Sequence, residues 1–119
     1  MQRFVVFANT TAVGYSELER GDPPMGTAGG KFISLPAYEA IQASVVAARE
    51  ASQEHLALSV RTIDGETIPA QGGVQIIDYS SELGADGVEV HVCGIDYPLY
   101  EELFPGHHAA YVQAIRKKT

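Results

Sequence analysis

Four titratable side chains are the ones most able to do acid–base chemistry, and they fall in two separate regions of the sequence. Glu19 and Asp22 lie in a proline-containing stretch, whereas His91 and His107 lie in the second half of the chain. A carboxylate and a histidine within hydrogen-bond reach of each other can act as general base and general acid. If folding brings these residues together, the chain would be a small, hydrolase-like enzyme, which is one of two functional classes that the sequence leaves open.

The histidines could also bind a metal ion, but their spacing does not favour it. His91 and Cys93 would share one face of a strand, and His107 and His108 are adjacent. Structural zinc sites commonly use pairs such as Cys-x-x-Cys or His-x-x-x-His, and neither is present. The glycines that precede Lys31 also miss the spacing of a phosphate-binding loop. We therefore expect no metal site and no cofactor.

The second functional class comes from charge. The net charge is −7, and residues 62–115 contain nine acidic residues but no lysine or arginine. This charge repels nucleic acids and anionic membranes, and it favours either solubility or a basic protein partner. The nine are Asp64, Glu66, Asp78, Glu82, Asp86, Glu89, Asp96, Glu101 and Glu102. The binding candidates among them are Asp78, Glu82, Asp86, Glu89 and Asp96.

Of the two classes, the sequence favours a non-catalytic binding or accessory protein with an acidic face within residues 62–115. The alternative is the enzyme that uses Glu19 or Asp22 with a histidine. Cys93 is the only cysteine, so no disulfide can form within the chain. The apolar run at residues 4–8 is too short for a membrane span or a secretory signal. We therefore expect a cytoplasmic protein, while the oligomeric state stays open.

Periodicity predicts the elements that would position these residues. Residues 37–54 are predicted to form one long helix, with Ile41 and Val45 facing inward and Gln42 outward. Asp64-Gly65 predicts a hairpin turn of type I′. Strands are expected near residues 3–8, 29–34, 55–63, 66–68, 74–79 and 88–93, and short helices at 98–104 and 107–116.

This order predicts a single α+β domain over residues 1–119. It would have a mostly antiparallel or mixed sheet of about five to six strands, with the long helix packed on it and short helices following. Residues 9–28 are expected to be a long connection, stiffened by a capping box from Ser16 to Glu19. Connections of this length are often functional, which is why Glu19 and Asp22 are candidates.

Overall fold

A computed structural model describes residues 2–48 and 51–118. They form an α+β fold with two antiparallel four-stranded sheets, so the predicted fold class is confirmed but the prediction of a single sheet is wrong. The strands are β1 (Phe4–Ala8), β2 (Thr11–Ser16), β3 (Arg20–Asp22), β4 (Thr27–Lys31), β5 (Ile33–Ser34), β6 (Leu58–Thr62), β7 (Gly73–Asp78) and β8 (Val88–Cys93). The helices are α1 (Gln42–Ala47), α2 (Ser80–Leu83), α3 (Leu99–Leu103) and α4 (Pro105–Lys118).

The two sheets are connected through a bend at Phe32. The first sheet has the order β5-β2-β1-β6, and the second has the order β3-β4-β8-β7. β4 leaves the second sheet at Lys31, and β5 enters the first at Ile33. The N–H of Phe32 still donates to the carbonyl of Val88 at 2.9 Å, while its ring lies 5.0 Å from that of Tyr38. One nearly continuous chain segment therefore serves both sheets.

The region predicted as a long connection contains two strands. β2 pairs with β1 across the two-residue turn Asn9-Thr10, in which Asn9 has a φ of 54°. Asparagine tolerates this left-handed conformation better than most residues, so the turn had a local signal that the hydrophobic pattern obscured. β3 pairs with β4. The prediction of an unstructured connection over residues 9–28 is therefore wrong.

The predicted capping box does not form. The Ser16 hydroxyl accepts a hydrogen bond from the N–H of Leu18, and the Glu19 carboxylate accepts one from the N–H of Lys31 at 2.9 Å. Leu18 is buried and has a φ of 45°. Burial of this large apolar side chain at the end of β2 favours a tight turn rather than a helical one.

The single long helix over residues 37–54 is not found. A 3-10 helix covers Pro36–Ala40, α1 covers Gln42–Ala47, and residues 49–50 lie outside the described residues. Val45 is fully buried as predicted, but Ile41 is only half-buried. Gln42, predicted to face solvent, instead donates to Asp78 and Ser80. These polar contacts follow no helical period, and hydrophobic spacing therefore missed them.

The turn at Asp64-Gly65 is confirmed as a hairpin, with a geometry different from the predicted one. Gly65 has a φ of 92°, but Asp64 does not have a positive φ, as a type I′ turn would require. The N–H of Thr62 donates to the carbonyl of Glu66 at 2.8 Å, closing a three-residue loop. Beyond it, the second arm pairs with β6 through a single bridge.

The core lies between the sheets and continues beneath the C-terminal helices. Val88, Val90 and Val92 alternate inward along β8, as predicted. Phe104, which follows α3, packs against Phe4 of β1 with ring centroids 5.4 Å apart and the rings tilted by 37°. α4 packs against α3, β3 and the 3-10 turn Pro23–Met25, and much of its second half is exposed. Among the described residues, no helix combines the length and apolar character needed to cross a membrane.

Candidate functional site

Two of the four predicted catalytic residues lie in the same shallow depression. Asp22 of β3 and His91 of β8 line a space of about 200 Å³, together with Arg20. His91 Nε2 lies 3.1 Å from a carboxylate oxygen of Glu89, and Arg20 lies 2.9 Å from the other. β4 lies between β3 and β8, and its glycine at position 29 leaves the space open. The depression thus holds a carboxylate, a histidine and a guanidinium.

The other two predicted catalytic residues have structural contacts. Glu19 holds the backbone of Lys31, as described above. His107 donates from Nε2 to the carbonyl of Leu18 at 2.8 Å, and its ring stacks on Phe104. The structure therefore does not bring these two residues into the depression of Asp22 and His91.

Asp78, a predicted binding residue, is completely buried. Its carboxylate accepts hydrogen bonds from the Tyr38 hydroxyl at 2.7 Å, the Gln42 amide at 3.2 Å and the Ser80 N–H at 2.7 Å. Burial alone would raise the pKa of Asp78, but hydrogen bonds from Ser80, Tyr38 and Gln42 outweigh it, and the pKa lies below its usual value. Asp78 therefore anchors the 3-10 helix and α1 to the end of β7.

The remaining predicted binding residues are not gathered into one patch. Asp86 pairs with Lys31, which holds the pKa of that carboxyl below its usual range, and Glu89 pairs with Arg20. Glu82 is exposed on α2. Asp96 lies on the loop after β8, apart from these pairs, where it accepts a hydrogen bond from Gln71. Cations are thus interleaved with the acids of residues 78–89, whereas Asp96 belongs to a different surface.

That surface is a groove of about 400 Å³ between three segments of the chain. One wall is the 3-10 turn Pro23–Met25, the second is the loop carrying Asp96 and Tyr97, and the third is α4 with His108 and Tyr111. Three apolar side chains in it are exposed. The exposed fractions are 68% for Met25, 46% for Tyr97 and 37% for Tyr111. Exposed aromatic and methionine side chains in a concave site are typical of protein interfaces.

Hydrogen bonds fix the orientation of the groove residues. The Tyr97 hydroxyl lies 3.1 Å from Nδ1 of His108, and Nε2 of the same ring donates to Glu101 at 3.1 Å. The Tyr97 ring also stacks on Tyr100, whose hydroxyl donates to the carbonyl of Thr27 at 2.8 Å. The groove is therefore largely preformed.

Two carboxylates, those of Asp96 and Glu101, lie at the groove. The pKa of Tyr97 is raised by its partial burial, and further by the charge of Glu101 and by Tyr111. Burial, followed by its neighbours Tyr97 and Asp22, raises the pKa of Tyr100 to about 12. Among the described residues, Asp96 and Glu101 form no ion pair with a lysine or arginine. Their charges are thus available to a cationic ligand.

A larger cavity, of about 660 Å³, lies between the Phe32 bend and α2. Tyr38, Gln42 and Ser80 line it, but the hydroxyl of Tyr38 and the amide of Gln42 are already bonded to Asp78. Burial and the bond to Asp78 raise the pKa of Tyr38 well above its usual value. Tyr38 therefore gives up its proton less readily than an ordinary tyrosine and is a poor acid–base catalyst.

Sequence reasoning did not identify the groove residues Met25, Tyr97 and Tyr111. Pro24 beside Met25 and Pro98 beside Tyr97 offered a weak signal, since proline-bounded segments lie at the surface and expose their neighbours.

No group of three or more metal-ligating side chains is close enough to hold an ion within the described residues. The chain matches no protein-family model, curated protein or solved structure at a significant level, so its function must be argued from these sites.

Proposed function

We propose that this protein is a non-catalytic binding protein whose groove takes a basic segment of a protein partner. The observation that carries the proposal is the juxtaposition of exposed Tyr97 and Tyr111 with Asp96 and Glu101 on a preformed surface. The sequence suggested an acidic binding face somewhere within residues 62–115, and the proposed binding surface is now limited to the carboxylates at this groove.

The chemistry of the groove suits lysine and arginine side chains. A cation placed over a tyrosine ring is attracted by its quadrupole, by about 0.5–1 kcal/mol at exposed sites. Arginine adds a planar fork that can donate to a carboxylate in two places. Tyrosine is also among the residues that most often dominate interface energetics. Asp96 and Glu101 supply the opposite charge, while Met25 and Tyr111 supply apolar contact for the stems of the basic side chains.

Titration with a defined peptide tests the proposal. The probe is a fluorescent decapeptide containing arginine and leucine, and its neutral counterpart has citrulline at each arginine position. The protein should bind the first peptide and not the second. Asp96→Asn with Glu101→Gln should weaken binding about 2- to 30-fold, since exposed charge pairs contribute about 0.2–1 kcal/mol each. Tyr97→Ser should weaken it about tenfold.

A matched control removes two acids elsewhere. Asp64 and Glu66 lie exposed at the hairpin loop, so Asp64→Asn with Glu66→Gln makes the same change in net charge. This variant should bind as the wild type does. Equal weakening in both double variants would mean that the peptide responds to net charge alone, and the groove would lose its role.

A second candidate function is supported by the shared depression of Asp22 and His91, and it is the hydrolase-like activity named above. His91 would act as general base, while Arg20 and Asp22 would orient the substrate. Turnover of p-nitrophenyl esters, measured for the wild type, His91→Ala and the exposed-site control His55→Ala, tests it. Turnover lost only in His91→Ala supports this activity, and turnover equal in all three contradicts it.

A further inference from the structure

The second half of α4 extends beyond the body of the protein. From Ala109 to Lys117 its side chains are exposed, apart from half-buried Val112. The molecule measures 48 × 31 × 26 Å, so one axis is much longer than the others. Most of the stability of a helix in a protein comes from tertiary packing of one of its faces. The second half of α4 would therefore be stabilised by an additional contact.

The exposed segment carries an apolar stripe that is continuous with the groove. Ile115 is 44% exposed and lies four residues after Tyr111, which places both on the same face of α4. His108 lies on this face one turn earlier and belongs to the groove. The stripe thus begins at the acidic end of the groove, beside Glu101, and runs outward along the helix.

The charges at the two ends of this stripe have opposite signs. Glu101 lies against His108 at one end, and Arg116 and Lys117 follow Ile115 at the other. The distance along the helix axis from His108 to Arg116 is roughly 12 Å at 1.5 Å per residue. The basic end lies beyond its own groove, but in a two-fold pair each basic end meets the acidic end of the other copy.

We propose that two copies of this chain associate through antiparallel α4 helices, with Tyr111 of one copy packing on Ile115 of the other and Arg116 lying against Glu101. The interface is isologous, so each contact occurs twice. It rests on the proposed function in one respect, because the second copy provides a basic segment to the same acidic groove. A contact of this small size gives a weak dimer, which should be measured at high protein concentration.

Sedimentation equilibrium of the full chain tests the apolar contact. Ile115→Glu should raise the dimer dissociation constant at least tenfold, because it places a charge in the centre of the stripe. Gln113→Glu is the matched control, since it adds the same charge about 200° around the helix from Ile115 and should leave the constant unchanged. A wild-type protein that stays monomeric at millimolar concentration overturns the proposal, as would equal weakening by both variants.

A mixing experiment tests the charge contact even if one variant is less stable. Glu101→Lys alone opposes Arg116 with a like charge, and Arg116→Glu alone opposes Glu101. Each variant should therefore be more monomeric than the wild type by itself. An equimolar mixture should regain the dimer, because every contact in the mixed pair is again between opposite charges. A mixture that stays as monomeric as its components overturns the proposal.

These measurements separate the two proposals. Self-association is observed with no peptide present, whereas the proposed function is measured with the arginine peptide. Ile115 does not line the groove, so Ile115→Glu should keep peptide affinity while losing the dimer. Peptide binding by a strictly monomeric protein would overturn self-association alone. A dimer that binds no external peptide would contradict the proposed function alone.

Discussion

Gln53 pairs with the backbone of Ile76 in the way a neighbouring strand would. Its side-chain nitrogen donates to the Ile76 carbonyl at 2.8 Å, and its side-chain oxygen accepts from the Ile76 N–H at 2.9 Å. β7 is an edge strand, so these backbone groups point away from the sheet. The buried Gln53 amide thereby supplies hydrogen-bond partners to two backbone groups of edge strand β7. It also holds the segment after α1 against this strand.

Removing this amide should be costly. Gln53→Ala leaves a buried donor and a buried acceptor without partners, at about 1–3 kcal/mol each, so the free energy of unfolding should fall by about 2–6 kcal/mol. Urea denaturation measures the loss. The exposed-helix control Gln113→Ala should change stability by less than about 0.5 kcal/mol. Similar losses in the two variants would show that the pairing with Ile76 contributes nothing.

Asp78 should make the free energy of unfolding depend on pH in the acidic range. Its pKa in the folded protein lies below the ordinary value of about 3.9, so its contribution is fully present above that value and is lost as the pH falls through the folded-state pKa. Asp78→Asn should therefore be less stable than the wild type at pH 7, with a difference that shrinks below about pH 4. Thermal melts across this range test it, and a constant difference would contradict it. Exposed Asp64→Asn, as control, should match the wild type at pH 7.

Tyr38→Phe should show how much the Tyr38 hydroxyl contributes to stabilising the ionised carboxylate of Asp78. The substitution keeps the ring on Phe32 but removes a donor to buried Asp78, so stability should fall by about 1–3 kcal/mol at neutral pH. It should also shift the acid-induced loss of stability to higher pH, because the ionised form of Asp78 loses a stabilising bond. Tyr15→Phe serves as control, since the Tyr15 ring interacts with Arg3 through its face. An unchanged acid transition in Tyr38→Phe would argue against the contact.

Gly65 should tolerate a side chain poorly because of its backbone and not because of crowding. A Cβ at Gly65 would meet no atom within 4 Å, but the residue has a φ of 92°. Gly65→Val should lower the free energy of unfolding by about 1–3 kcal/mol through strain at this φ. Gly106 is equally open but has no positive φ, so Gly106→Val should be close to neutral. Differential scanning calorimetry compares the two, and equal melting temperatures would exclude strain as the cause.

Salt should weaken peptide binding at the groove. At 0.1 M ionic strength the screening length is about 10 Å, and at 1 M it is about 3 Å, so exposed carboxylates attract a basic peptide much less strongly in high salt. The wild type should lose affinity steadily as salt is added. Asp96→Asn with Glu101→Gln should show a shallower salt dependence, because two of the contributing charges are absent. A steeper or equal slope in this variant would place the electrostatic contact elsewhere.

Much of the local structure follows from neighbours in sequence. The alternation over Val88–Cys93 correctly predicted that the valines face inward, and Asp64-Gly65 correctly predicted a turn. Both predictions were possible because side-chain direction and φ preference are properties of short segments. The two short helices predicted at residues 98–104 and 107–116 are present as α3 and α4, although α4 begins at Pro105, which the sequence suggested only as the end of the preceding helix. Charge composition also predicted an acidic protein, since it does not depend on folding.

The pairing of distant residues was decided by tertiary structure. Gln42 and Asp78 meet because the 3-10 helix, α1 and the end of β7 pack together, and no periodic pattern carries that information. Met25, Tyr97 and Tyr111 form one groove only because α4 docks beside the turn after β3 and the loop after β8. Acids that look equivalent in the sequence were likewise separated: Asp78 became buried, Asp86 was paired with Lys31, and Asp96 was left facing the groove. The physical reason is that local preferences act over a few residues, whereas burial and charge pairing depend on which segments the core brings into contact.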